Sequence, residues 1–126
     1  MRSPAQLKPP SKVLLCIDDD EEVLECEKAF LESFGYTVLT PPGAGEGLEL
    51  ASVHLVDVVI LDYFMPEMDG QEVPVKTKRL RPQAPIIMVS GAADVPGQAL
   101  KLVDAFIAKD RLASQLLHAI AQLQEC

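Results

Sequence analysis

The chain has 126 residues, 48% of them hydrophobic, which suits one domain with a sizeable core. Asp and Glu outnumber Lys and Arg by 19 to 11, so the overall field repels polyanions and direct binding of nucleic acid is not expected. No apolar run approaches the ~20 residues that cross a bilayer. The three cysteines lack metal-ligand spacing, and we expect a cytoplasmic protein without a membrane span.

Residues 1–11 contain three prolines and no apolar segment of the signal-peptide kind. We expect a disordered, extended tail there and one domain over residues 12–126.

Short apolar runs alternate with amphipathic segments along the rest of the chain. Strands are predicted at Val13–Ile17, Tyr36–Thr40, Val56–Leu61, Ile86–Val89 and Ala105–Ala108. Helices are predicted at Glu21–Phe34, Gly43–Ser52, Gln71–Leu80 and Arg111–Gln124. The first helix carries apolar residues at Val23, Cys26, Phe30 and Phe34, with Leu24 and Leu31 beside them.

Glycine and proline weaken two of the expected helices. Gly45 and Gly47 predict a short or frayed second helix. Pro96 and Gly97 predict that the fourth helix, between strands four and five, is short or irregular.

Alternation of strands and helices predicts an α/β fold with a doubly wound, five-stranded parallel sheet. The strand order 2-1-3-4-5, as in flavodoxin-like folds, places the least apolar strands at the edges. Ligand sites in such sheets lie beyond the carboxyl ends of the strands, where the order switches between strands one and three.

Charged and hydroxyl side chains follow four of the predicted strands. Asp18–Asp20 follow strand one, Asp62 strand three, Ser90 strand four and Lys109 strand five. Carboxylates crowded at one rim repel one another, so the pattern predicts a site for a hard cation, Mg²⁺ or Mn²⁺. Asp19 with Glu22 also resembles a reciprocal helix cap, and both roles are compatible.

Phosphoryl transfer fits this set of residues, because it needs positioning and neutralisation of charge on the phosphoryl oxygens. The metal, Lys109 and the Ser90 hydroxyl would supply that neutralisation from three directions. Asp62 is then the nucleophile, since carboxylates form aspartyl-phosphates.

Four segments resemble, in order, the signature segments of the CheY-like receiver domain of two-component response regulators. They are IDDD at Ile17–Asp20, ILDYFMPEMDG at Ile60–Gly70, MVSGA at Met88–Ala92 and FIAK at Phe106–Lys109. The resemblance implies that Asp62 is the phosphoacceptor, Ser90 the switch hydroxyl, Lys109 the lysine that senses the phosphoryl group and Phe106 an aromatic that moves between exposed and buried positions.

The resemblance also implies a ligand set for the metal. Asp18 and Asp19 form the acidic pair of the family. Asp19, Asp62 and the backbone carbonyl of Phe64 would hold Mg²⁺, with Asp18 acting through water.

The function implied is a signalling switch and not an enzyme, although such a domain promotes its own phosphorylation and dephosphorylation. A histidine kinase or histidine phosphotransfer protein would donate the phosphoryl group, and output would pass to a further protein partner. A monomer or a weak phosphorylation-dependent dimer is expected. A non-phosphorylatable scaffold is an alternative, and so is a phosphatase of the haloacid-dehalogenase type, whose motifs Asp18-x-Asp20, Ser90 and Lys109 loosely imitate.

Three features depart from the family pattern. Asp110 stands where proline is usual, and we expect it to cap the last helix instead. The stretch from Gly91 to Asp104 is a few residues short, which alters the usual partner-binding face. Phe64 is bulkier than the polar residues often found there, and slower loss of phosphate is expected.

Overall fold

The computed structural model describes residues 12–18, 20–41, 43–62, 72–91, 101 and 103–124. In this part of the chain the strands are β1 Val13–Ile17, β2 Thr37–Leu39, β3 Val58–Asp62, β4 Ile86–Ser90 and β5 Ala105–Ala108. The α-helices are α1 Glu21–Glu32, α2 Ala44–Val53, α3 Glu72–Leu80 and α4 Leu112–Gln124, and a 3-10 turn, Lys109–Arg111, precedes α4.

The five strands form one parallel sheet in the order β2-β1-β3-β4-β5, which confirms the predicted topology. The first strand lies between β2 and β3, so the order reverses there. Ile17 pairs with Leu61 and Asp62 with Val89, which brings the carboxyl ends of β1, β3 and β4 to one rim.

Two cores cover the two faces of the sheet. Leu14 and Cys16 of β1 belong to one core, with Leu31 of α1 and Ile120 of α4. The alternate residues of β1 belong to the other core, which α2 covers. Successive strand residues point to opposite faces, so a sheet covered on both sides needs the continuous apolar runs that the sequence has.

Helix α1 begins at a different aspartate from the one expected. Asp20 is the N-cap, and its Oδ1 accepts hydrogen bonds from the backbone N–H groups of Glu22 and Val23, at 3.0 and 3.4 Å. The interpretation of Asp19 as the cap is therefore wrong. Gly35, with φ +95°, lies in the left-handed region just after the helix, where glycine carries no Cβ penalty.

The buried face of α1 also differs from the expected one. Leu24, Glu27 and Leu31 are buried, whereas Cys26 and Phe34 are exposed. The helix therefore rests on the sheet through the 24-27-31 stripe, which contains a carboxylate.

Helix α2 runs unbroken for ten residues, so its glycines do not fray it. Gly47 allows α2 to lie this close to β1, because a Cβ at this residue would lie 2.6 Å from Ile17 Cδ1. The close approach of α2 to β1 offsets the cost of glycine in a helix.

Two aspartates fix the starts of neighbouring strands. Asp57 precedes β3, and its Oδ2 accepts from the Val13 N–H at 2.7 Å. Asp104 precedes β5 and accepts in the same way from the Ile86 N–H at 2.8 Å. Each aspartate also donates its own N–H to the carbonyl of the residue it binds. The pairs β1/β3 and β4/β5 thus begin with the same clamp at the amino ends of the strands.

Several predictions fall outside the described residues: the tail over 1–11, the helix between β4 and β5 over most of 92–102, and the positions of Asp19 and Phe64. The division into a tail and a domain over 12–126 stays a prediction. No helix in the described part of the chain is long and apolar enough to cross a membrane.

Candidate functional site

The carboxyl-terminal rim of the sheet brings two aspartates together. Asp62 is the last residue of β3, and Asp18 directly follows β1, whose last residue pairs with Leu61. Both side chains are buried, although aspartate is rarely buried without a charged partner. The predicted juxtaposition of Asp18 and Asp62 is what the structure shows.

Lys109 reaches both carboxylates from the end of β5. Its Nζ lies 3.3 Å from Asp62 Oδ2 and 3.7 Å from Asp18 Oδ2. The aliphatic part of its side chain passes Gly91, where an added Cβ would lie 3.8 Å from Lys109 Cδ. The site thus holds two buried acids and one ammonium group.

Burial and repulsion change the acidity of Asp18. Loss of water around the carboxyl group is the main cause that raises the pKa of Asp18 to about 6, and the nearby Asp62 carboxylate raises it further. The Asp20 N–H, 2.9 Å from Asp18 Oδ1, and the Lys109 ammonium act in the opposite direction. The acidity of Asp18 is thus set first by its burial and then by the charged groups around it.

Ser90 and Phe106 lie on the neighbouring strands. Ser90 is the buried last residue of β4 and pairs with Ala108, the residue before Lys109. Ser90 therefore lies at the same carboxyl-terminal rim of the sheet as Asp62 and Lys109. Phe106 lies on edge strand β5 and is 39% exposed, so it is not a core residue.

The described residues contain no group of three or more Asp, Glu, His or Cys side chains arranged to hold a metal ion. Two of the four predicted ligands, Asp19 and the Phe64 carbonyl, lie outside those residues. The donors that are described do fit Mg²⁺, because they are hard carboxylate oxygens with an excess of negative charge.

Known proteins resemble this chain in sequence and in fold. The model of the family described as the response regulator receiver domain matches residues 14–121 of the chain. The chain belongs to this family. It is therefore a receiver domain of two-component signalling, and such domains are regulatory switches rather than enzymes in the usual sense.

Relatives and solved structures agree with this assignment. The response regulator protein TodT from Pseudomonas putida is 37% identical over 121 residues, covering 87% of this chain and 50% of TodT. A receiver domain protein (CheY-like) from Methanospirillum hungatei matches with a TM-score of 0.85 and 34% identity, covering 91% of this chain and 95% of that chain. The response regulator TrrA from Thermotoga maritima, solved in complex with Mg²⁺-BeF, matches with a TM-score of 0.82 and 26% identity, covering 89% and 98%. The chain spans 50% of the length of TodT and 19% of the length of another curated relative, the transcriptional regulatory protein GlrR from Escherichia coli.

One feature of this receiver domain was missed from its sequence. Glu27 of α1 is buried beside Cys16 of β1, with which it shares a hydrogen bond. Burial, and next the charge of Asp18, raises the pKa of Glu27 to about 7. The same burial, with the Glu27 charge, raises the pKa of the Cys16 thiol. The signal was available, since residues 24, 27 and 31 lie on one face of a helix.

A cavity of about 570 Å³ opens beside the site, between α1 and α4. Its lining includes Lys109, Glu27, Phe30 and Leu116. The receiver domain thus has an open, largely apolar surface next to the buried acids.

Proposed function

We propose that this domain is the phosphoacceptor switch of a phosphorelay, with Asp62 receiving the phosphoryl group from a phosphohistidine of a partner protein. The observation that carries the proposal is the position of Lys109 Nζ, 3.3 Å from Asp62 and 3.7 Å from Asp18 at the switch point of the sheet. An ammonium group in that position would stabilise negative charge on the oxygens of an incoming phosphoryl group.

In the proposed step, an oxygen of the Asp62 carboxylate attacks phosphorus and forms an O–P bond. The N–P bond of the donor histidine breaks, and its imidazole leaves with the bonding electron pair and takes a proton from water. Lys109 Nζ donates hydrogen bonds to the carboxylate before the step and to a phosphoryl oxygen after it. Protein groups that are already in place need little reorganisation, which favours transfer.

Asp19, Asp62 and the Phe64 carbonyl are the proposed ligands of Mg²⁺, or of Mn²⁺ in its place, with Asp18 acting through water. When bound, the ion would neutralise negative charge shared by the carboxylates and the phosphoryl oxygens. The crowding of two buried carboxylates, Asp18 and Asp62, around the Lys109 ammonium supports this proposal.

The output step involves Ser90 and Phe106. A phosphoryl group on Asp62 adds about two negative charges and three acceptor oxygens next to β4. The Ser90 hydroxyl would donate to one of these oxygens, and Phe106, which is part-exposed, would change its position on β5. This altered surface would then bind a downstream protein.

The proposed partners are a histidine kinase or a histidine phosphotransfer protein, and the cavity between α1 and α4, which Lys109 lines, offers them a surface beside the acid site. A monomer, or a weak dimer upon phosphorylation, is the proposed state. The free thiols of Cys16 and Cys26 fit a reducing compartment such as the cytoplasm.

The test is mass spectrometry after treatment with acetyl phosphate, with and without Mg²⁺. One phosphoryl adduct that requires Mg²⁺ is expected on the unmodified chain, and none on Asp62→Asn. Asp110→Asn is the matched control, because Asp110 is an exposed acid next to Lys109, and it should keep the adduct.

Other outcomes would contradict the proposal. An adduct that persists in Asp62→Asn and is located on Asp18 would favour the phosphatase of the haloacid-dehalogenase type. Absence of both an adduct and Mg²⁺ binding would favour the scaffold.

A further inference from the structure

One buried carboxyl group has no part in the proposed transfer, although it lies beside the acid site formed by Asp18, Asp62 and Lys109. Glu27 is 6% exposed and belongs to the stripe by which α1 packs on the sheet. It shares a hydrogen bond with the Cys16 thiol of β1, and a thiol is a weak donor. Such a partner replaces the lost hydration of a carboxylate poorly, so packing alone gives no reason for an acid at this position.

Glu27 and the ammonium group of the acid site share one cavity. Both Glu27 and Lys109 line the cavity of about 570 Å³ between α1 and α4. The Lys109 ammonium also lies 3.3 Å from Asp62 Oδ2 and 3.7 Å from Asp18 Oδ2. One ammonium group therefore serves two buried carboxyl groups inside the acid site and faces the cavity that a third one lines.

The charges that act on Glu27 come from the acid site. Burial is the main cause that raises the pKa of Glu27 to about 7, and the Asp18 charge is the next. The Cys16 hydrogen bond and the Lys109 ammonium lower this pKa, and the Asp62 charge raises it. Because coupling between two sites is reciprocal, the charge state of Glu27 acts on the acid site in turn.

The other elements around the cavity add little charge near Glu27. Helix α4 contributes Leu116 to the cavity, and its sequence contains no Asp, Glu, Lys or Arg. The titratable side chain of α4, His118, is exposed. Water and salt screen the charges of four further titratable residues that line the cavity, since all of them are exposed: Asp20, Glu22, Cys26 and Asp110.

We propose that Glu27 is a proton-dependent regulator of phosphoryl transfer to Asp62, which slows the transfer when it is ionised and permits it when it is neutral. The inference rests on the proposed function, because it assigns a regulation to the same site. Ionised Glu27 competes with the phosphoryl oxygens for the charge of the Lys109 ammonium. A proton taken up from solvent through the open cavity removes this competition, and no other bond at Glu27 changes.

The first test compares the rates of adduct formation of the parent chain and Glu27→Gln with acetyl phosphate and Mg²⁺, by mass spectrometry between pH 5 and pH 8. Glutamine keeps a similar shape and cannot ionise, and the ratio of the two rates removes any pH dependence that both proteins share. We expect equal rates at pH 5. At pH 8 the parent should be about 3- to 10-fold slower than Glu27→Gln, as expected for one partly screened charge near the reacting group.

The matched control is Glu25→Gln, which removes an exposed acid from the same helix. Its rate should follow that of the parent at every pH. A change equal to that of Glu27→Gln would overturn the proposal, because it would assign the effect to the net charge of the chain.

A second measurement does not use phosphorylation. In ¹³C NMR of the glutamate-labelled chain in EDTA, the Glu27 carboxyl carbon is identified by its absence from Glu27→Gln and is followed through a pH titration. Lys109→Met removes the ammonium, so the titration midpoint of Glu27 should move to higher pH than in the parent. Lys101→Met, at an exposed lysine, should leave the midpoint unchanged.

The two measurements distinguish the possible failures. A rate ratio that stays constant with pH would overturn this inference alone, as would a Glu27 midpoint that is the same in Lys109→Met and the parent. Absence of an adduct in both the parent and Glu27→Gln would overturn the proposed function, and the regulation with it.

Discussion

The Lys109 ammonium determines the charge balance of the acid site, since its Nζ lies 3.3 Å from Asp62 and 3.7 Å from Asp18. Both carboxylates are buried, so the interactions are screened less by water and salt than those of a surface ion pair. Removal of the ammonium would leave the two buried carboxylates without this positive charge.

Lys109→Met is expected to slow adduct formation with acetyl phosphate by about 10- to 100-fold, the equivalent of one lost charge-assisted hydrogen bond in the transition state. Methionine keeps most of the aliphatic length, so packing against Gly91 should persist. A time course by mass spectrometry with Mg²⁺ measures the rate. Lys101→Met, a change at an exposed lysine, should keep the parent rate, and an unchanged rate in Lys109→Met would exclude the role given to Lys109.

The sequence was informative about residues whose position follows from strand ends. Asp18, Asp62 and Lys109 were predicted to meet because carboxyl ends of parallel strands share one edge. Glu27 was not predicted as part of this region. The apolar residues Cys26 and Phe34 suggested a different buried face of α1, which does not include Glu27. The exposure of Phe106 depends on the position of β5 at the edge of the sheet and on which elements pack over that strand. The hydrophobic periodicity of the sequence contains no information about either.

At the scale of elements, the packing of α2 on β1 depends on one glycine. Gly47→Ala adds a Cβ that would meet Ile17 Cδ1 at 2.6 Å and Cγ1 at 2.8 Å. Overpacking costs about 1–3 kcal/mol, which exceeds the ~1 kcal/mol that alanine gains in a helix. We expect a net loss of up to about 2 kcal/mol in the free energy of unfolding, measured by urea denaturation.

A double-mutant cycle tests the cause. Ile17→Val removes Cδ1, so Gly47→Ala should cost less in the Ile17→Val background than alone. Equal costs in both backgrounds would show that the helix approach is not limited by this contact.

The aspartates that precede β3 and β5 make a second prediction about elements. Asp104 Oδ2 accepts from the Ile86 N–H at 2.8 Å and from Lys78 Nζ at 3.0 Å. Asp104→Ala leaves the buried Ile86 N–H unpaired, and we expect a loss of about 1–3 kcal/mol in the free energy of unfolding.

Asp104→Asn separates the two contacts, because the amide oxygen still accepts from Ile86 while the ion pair with Lys78 is lost. The ion pair is part-exposed, so this change should cost less than about 1 kcal/mol. Urea denaturation of both variants gives the comparison. Similar losses in the two variants would assign the stabilisation to Lys78 instead of the strand clamp.

Strand order was predictable because alternation and right-handed crossovers leave few topologies. Strand starts were not: β3 begins at Val58 and not at Val56, since Asp57 is used as the clamp on Val13. A side chain that competes for a backbone N–H in another strand leaves no periodic signal in the sequence.

For the whole molecule, two buried acids with raised pKa values predict how stability depends on pH. Glu27 has an ordinary pKa of 4.5 and a folded-state pKa of about 7, and Asp18 changes from 3.8 to about 6. The folded chain therefore holds these protons more tightly than the unfolded chain. Their contribution to stability is complete below pH ~4 and is lost as the pH rises through about 6 and 7.

In the absence of Mg²⁺, we expect the free energy of unfolding to fall between pH 5 and pH 8, with Glu27 contributing up to about 3 kcal/mol of the decrease. Urea denaturation in EDTA at several pH values measures it. Glu27→Gln cannot ionise and keeps a similar shape, so the decrease should become smaller and the variant should be more stable than the parent at pH 8. Glu25→Gln, an exposed change on the same helix, should leave the decrease intact. An equally steep decrease in Glu27→Gln would mean that Glu27 is ionised throughout this range and that another group sets the pH dependence.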